Sequence, residues 1–221
     1  MSRPVYLKHE SEPIRGLPGA LPEGEHILWQ GSPAWWPLAL RAYRLRAVAI
    51  YFAVLWSIGF YAELREGAMV REALIALVPL TILALVALGL ILTFAVLAAR
   101  LAVYTITNRR VVVRCGVALP VTVNLPFALV ASAGLKRFGD GTGDIALRLI
   151  PPHRVSYVLL WPHVRPWHWR DPEPSLRAVR QADEVAAILG RALAQAAGQP
   201  VPTMAEAAAA PEPLGPAPVP A

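Results

Sequence analysis

The run from Ala73 to Ala99, ALIALVPLTILALVALGLILTFAVLAA, is 27 residues long and carries no charge. Its only polar side chains are Thr81 and Thr93. As one helix it would be about 40 Å long at roughly 1.5 Å per residue, against a bilayer core about 30 Å thick. A helix that is apolar on every face must be covered by a large protein core or by lipid. A chain of 221 residues leaves too little to surround it, so the run reads as a tilted membrane span.

A second apolar stretch, Ala47–Ala62 (AVAIYFAVLWSIGFYA), comes before it. It is short for a span, but Arg41, Arg44 and Arg46 can snorkel at one end and Tyr61 can sit at the other interface. Pro37 suits a first helical turn. Trp29, Trp35 and Trp36 cluster just upstream, where the indole ring favours the headgroup region. The connection Glu63–Glu72 holds two Arg against three Glu, whereas Arg100, Arg109, Arg110 and Arg114 follow the second span. The positive-inside rule then predicts a helical hairpin with both termini cytoplasmic, in a bacterial inner membrane. No cleavable signal peptide is read in the first forty residues, which carry Pro, Glu and Arg instead of a short apolar core.

Beyond Arg100 the pattern changes. LAVYTIT (101–107) and RVVVRC (110–115) are rich in β-branched residues and flank a turn at Asn108-Arg109, where Asn tolerates the left-handed conformation. Further strand-like runs are read at 117–125, 127–135, 145–150 and 155–161, separated by Asn124-Pro126, by GDGTGD (139–144) and by Pro151-Pro152. Short strands at roughly ten-residue spacing predict an antiparallel sandwich or small barrel. Asp183–Ala197 is predicted to be a helix packed on the sheets, with acids in its first turn and Val185, Ile188, Leu189 and Leu193 as its stripe. Residues 198–221 are Ala/Pro-rich and read as disordered. The predicted units are an interfacial segment (1–36), a transmembrane hairpin (37–99), a cytoplasmic β-domain (100–197) and a tail (198–221).

The chemistry-bearing residues are few. His153, His163 and His168 lie within sixteen residues, and Cys115, the sole cysteine, could join them in space. Prolines interrupt their spacing and no CxxC pair exists, so a metal site is not favoured. GDGTGD lacks the GxxxxGK[ST] pattern and precedes a strand, so it reads as a hairpin turn. Asp140, Asp144, Asp171 and Glu173 sit at turns without evident partners, and there is no Gly-x-Ser-x-Gly elbow. No catalysis and no cofactor are expected. The spans contain no histidine to ligate an embedded tetrapyrrole. The net charge of +6 suits a cytoplasmic flank facing anionic lipid better than nucleic-acid binding. Arg109, Arg110, Arg114, Lys136, Arg137, Arg148 and Arg154 make the β-domain basic, as a lipid-facing flank or a docking face. Trp161, Arg165, Trp167, Trp169 and Arg170 offer the residue types that anchor protein interfaces, or alternatively form a proline-stiffened cover on a sheet edge.

YTITNRRVVVRCGV (104–117) resembles the opening hairpin of bacterial pleckstrin-homology-like domains: Tyr104, Ile106, Thr107, Asn108, Arg109, Arg110, a β-branched run and Gly116, after a hydrophobic hairpin. The resemblance implies two packed antiparallel sheets closed by a C-terminal helix, an α+β membrane protein. The chain as a whole is similar to the photosynthetic complex assembly proteins of purple bacteria (PuhB type). That rests on LPEGEHILWQGSP (21–33), the two-span hairpin, the PH-like hairpin and PSLRAVRQADEVAAILGRAL (174–193), and covers about residues 20–195. It implies a non-catalytic inner-membrane factor assisting reaction-centre assembly and, through it, the core light-harvesting complex. The implied partners are reaction-centre subunits, core antenna and membrane lipid, with a homodimer left open and no nucleic acid. Ala84, Ala87 and Gly89 would let a partner's helix approach the second span. The alternatives are a general membrane-anchored PH-like module that binds lipid headgroups or an envelope partner, and a small metalloenzyme using the three histidines.

Overall fold

The computed structural model describes residues 15–17, 19–117 and 119–198. The expected disordered tail lies, beyond Gly198, outside the described residues. The first element is a strand, β1 (Ile27–Gly31), then four helices: α1 (Trp35–Arg41), α2 (Leu45–Arg65), α3 (Val70–Ala76) and α4 (Val78–Leu101). Strands β2 (Val103–Thr107), β3 (Arg110–Cys115), β4 (Val121–Pro126), β5 (Val130–Arg137) and β6 (Thr142–Leu149) follow. A short helix α5 (Tyr157–Leu160), strand β7 (Ser175–Arg180) and helix α6 (Ala182–Ala196) complete the order.

The strands form two antiparallel sheets, β1-β2-β3-β4 and β5-β6-β7. They pack as an open sandwich, not a closed barrel. One core joins both: Tyr104, Ile106, Val111 and Val113 from the first sheet, Ile145, Leu147 and Leu176 from the second, and Val185, Leu189 and Ala192 from α6. The helix read from its stripe is therefore present and faces the core; only its bounds move by one residue. Burying a side chain such as Leu189 contributes about 2–3 kcal/mol.

β1 is the main departure from the sequence reading. Residues 27–31 pair with β2, Trp29 opposite Ile106 and Gly31 opposite Tyr104. The sheet thus starts upstream of the apolar helices, and residue 100 is not its beginning. Trp29 is half-buried against the sandwich core rather than free as an interfacial anchor. Glu25 accounts for the docking. Its carboxylate accepts from Arg110 Nε at 2.7 Å, from Arg110 Nη2 at 2.9 Å and from the Thr107 hydroxyl at 2.8 Å. Asn108 adds to it: its amide donates to the Gly24 carbonyl, and its oxygen accepts from His26 N–H. Asn108 does serve the β2–β3 turn, but its backbone is not left-handed.

α2 and α4 are long and apolar enough to cross a membrane, and neither is buried within the protein. The Ala73–Ala99 run is not one helix. It breaks at Leu77, between α3 and α4, because Pro79 lacks an N–H and starts the new helix. α1 is a separate short helix, ended before α2 by Arg44 in the left-handed region (φ 56°). It packs on an alanine stripe of α4: Leu38 meets Ala98 and Ala99, and Ala39 meets Ala95. Small side chains allow this close helix approach. The stripe used lies nearer the β-domain than Ala84, Ala87 and Gly89; Gly89 has nothing near it.

Two other strand expectations fail. Residues 155–161 contain α5, capped by Ser156, whose hydroxyl accepts from Leu159 N–H. Ser175–Arg180 is β7, hidden in the sequence because five of its six residues are buried and show no alternation. Glu25→Gln, which removes the carboxylate under β1, should lower unfolding stability by about 2 kcal/mol. Thermal melts of the detergent-solubilised chain measure it, with Glu23→Gln, an exposed neighbour, as the unchanged control.

Candidate functional site

The junction between the apolar helices and the sandwich is built from buried polar contacts. Ala34 N–H, at the start of α1, donates to the Ala178 carbonyl of β7 at 2.8 Å. That carbonyl is re-aimed by a bulge, with Ala178 at φ 52°. Asp144 steadies the bulge by accepting from Ala178 N–H at 2.8 Å and lying 2.9 Å from Arg177 Nε. From the end of α1, Arg41 reaches the β5–β6 turn. It donates to the Thr142 hydroxyl at 2.7 Å, pairs with Asp140, and stacks 3.6 Å over the Phe138 ring. Hydrogen bonding from Arg41, before other causes, holds the Asp140 carboxyl well below the usual carboxylate range. GDGTGD is the hairpin turn expected of it, with Gly141 left-handed (φ 74°), and it also receives this arginine.

Next to the junction lies the segment 157–170, whose aromatics are left open. Trp161 packs edge-on to Tyr43 at 5.0 Å, between α1 and α2. Trp169 stacks on Tyr157 at 4.1 Å. Trp167 is 72% exposed and Trp169 62%. Trp167 also has φ 67°, a conformation costing a bulky residue roughly 1–2 kcal/mol. Val158 and Leu159 of α5 are exposed beside them. Such a contiguous apolar surface marks an interaction site. Arg165 and Arg148 close on Glu173 at 2.8 and 3.3 Å, and Arg154 lies 3.4 Å from Asp171. Arg170 is exposed.

The remaining expected site residues are spread over other elements. Arg109 is exposed in the β2–β3 turn, while Arg110 is committed to Glu25. Lys136 lies over Phe138, and Arg137 pairs with Asp183 of α6. Arg114 lines a cavity of about 210 Å³ with Arg15 and Arg100, two residues the sequence reading did not place in a site. The three histidines do not converge. His163 is fully buried, His153 is exposed and His168 half-buried, and no cluster of three metal-binding side chains occurs among the described residues. Cys115 is buried on β3, and burial pushes its thiol up to about 11.

His163 belongs to a buried polar knot that sequence spacing could not reveal. Its Nδ1 is 2.6 Å from the Tyr104 hydroxyl, which also accepts from Arg177 N–H at 3.1 Å. The short contact takes the hydroxyl proton, so the ring hydrogen sits on Nε2, which has no partner among the described residues. Burial first, and the Arg177 charge second, lower the imidazole to about 3.

With this geometry in hand, the relatives can be compared. Residues 37–193 match the family described as Bacterial PH domain. The chain belongs to that family. The match includes the apolar helices, so the hairpin inserted between β1 and β2 is part of the family unit, while β1 completes the sheet from outside the matched range. The chain is also 44% identical over 184 residues to a Rhodobacter capsulatus protein described as "Uncharacterized 23.7 kDa protein in puhA 5'region", covering 82% of this chain and 85% of that one. No solved structure matches.

The knot makes this PH-family domain acid-sensitive. His163 binds a proton near pH 6.5 when unfolded but only near 3 when folded. The unfolded state therefore holds more protons in between, and stability falls as pH drops below about 6.5. Denaturant unfolding between about pH 7 and about pH 5, above most carboxylate titration, should show this decline. His163→Phe, though less stable overall, should flatten it.

Proposed function

We propose that this PH-family chain is a non-catalytic assembly factor of the bacterial inner membrane for the photosynthetic reaction centre and, indirectly, the core light-harvesting complex. The observation that carries the reading is the Rhodobacter capsulatus relative, described by its position 5′ of puhA. The similarity of residues 21–33 and 174–193 to photosynthetic complex assembly proteins supports the same reading. In it, α2 and α4 cross the bilayer with both termini cytoplasmic, as the arginine flanks indicate. The exposed row on α4, including Ile82, Leu85 and Val86, meets lipid or the helices of a nascent subunit. The tryptophan segment meets the cytoplasmic part of the complex. Its exposed Trp167 and Trp169 are the anchor type that dominates protein interfaces.

A second reading, lipid-headgroup binding, is favoured by Arg15, Arg100 and Arg114 around one cavity at the end of α4. It is weakened by the many other arginines already paired with carboxylates. Deleting the gene in a phototroph and recording near-infrared absorption tests the first reading: reaction-centre and core-antenna bands should fall together. Unchanged bands would sink it. Re-expressed Trp167→Ala/Trp169→Ala should accumulate normally, since surface changes shift stability by about 0.5 kcal/mol or less, yet restore the bands poorly.

A further inference from the structure

A cavity of about 430 Å³ lies between α4 and the β-domain. Leu90, Ile91 and Phe94 of α4 form one wall; Val117, Trp161 and Tyr43 form the other. His163 lines it as well, and no charged side chain does. Leu90 and Phe94 are half-exposed on the outer surface of α4, so the cavity is reached from the side that the membrane reading assigns to lipid. Its size falls within the roughly 300–1,000 Å³ of small-molecule sites, which pair apolar walls with a few placed polar groups.

The placed polar group here is His163. The imidazole is fully buried, Tyr104 holds its Nδ1 edge on the core side, and the opposite edge, Nε2, has no hydrogen-bond partner. Buried donors are almost always satisfied, and one left unmade in a native protein calls for an occupant. Water is a poor one, because it needs about two to four polar partners and the walls are largely apolar and aromatic. An anionic headgroup is also excluded, since a charge buried without a counter-ion is strongly disfavoured.

We propose that this cavity binds one neutral, membrane-soluble molecule whose carbonyl oxygen accepts a hydrogen bond from His163 Nε2 while its apolar body lies along Phe94 and Trp161. The carbonyl has two sources in a membrane, a quinone-type ring and a glyceride ester. Neither depends on the assembly role, so this proposal and that one fail separately.

The test uses the full chain in dodecyl maltoside, which carries no carbonyl. Isothermal titration with a short-chain benzoquinone, and separately with dioctanoylglycerol, should give saturable binding at one site per chain with at least one probe. Preference for the quinone assigns a ring carbonyl; preference for the glyceride assigns an ester. His163→Phe should weaken binding about tenfold, the worth of one buried hydrogen bond. Val117→Phe fills the cavity from the loop, leaves Tyr104 and His163 intact, and should abolish binding without changing the melting curve. That second variant keeps the test decisive should His163→Phe fail to fold. Failure of both probes to saturate, or wild-type affinity in Val117→Phe, overturns the proposal. Undiminished affinity in a folded His163→Phe overturns the carbonyl contact.

Discussion

The pairing of β1 with β2 is the constraint on which the architecture depends. Seventy-one residues separate Gly31 from Val103, and they include every apolar helix, yet the two strands are hydrogen-bonded neighbours. The chain must therefore leave the sheet and come back to it on the same side. Two long apolar helices joined by a short connection satisfy that requirement, and three could not. Glu25 makes the pairing durable. Desolvation works against its ionised form, but hydrogen bonds from Arg110 and then Thr107 prevail and lower its pKa. Losing that carboxylate would loosen the strand through which the helices are joined to the domain.

The helices are coupled stiffly to the sandwich. α1 packs on the alanines of α4, hydrogen-bonds to β7 through Ala34, and extends Arg41 onto the β5–β6 turn. A rotation of α1 would break contacts with both the span-length helix and the second sheet. The Tyr104–His163–Arg177 knot sits close by, and Trp161 is adjacent to His163 through Pro162. The exposed aromatic segment, the buried imidazole and the base of the helices thus share one corner of the fold.

Several features were legible from local pattern. The apolar runs, the β2–β3 turn at Asn108-Arg109, the GDGTGD hairpin and the final amphipathic helix each depend on residues within a few positions of one another. What was missed depends on distance. β1 reads as loop because it is one short edge strand whose partner lies beyond the hairpin. β7 is buried on both faces, so it lacks the alternation that marks a strand. Pro79 was visible, but the surrounding apolar run masked its effect. Arg110 looked like a surface cation and proved to be half of an ion pair with a residue 85 positions away. His163 looked like one of three surface histidines and is at the centre of the core.

The sequence by itself determined the membrane-length helices, the antiparallel β character, the closing helix and the family resemblance, because hydrophobic period and turn chemistry are local and act before any tertiary contact forms. Only the tertiary structure decided which cations stay available, which strand completes the first sheet, and where a buried donor is left without a partner. Those outcomes depend on desolvation and on partners brought in from remote parts of the chain, and neither leaves a periodic trace in the order of residues.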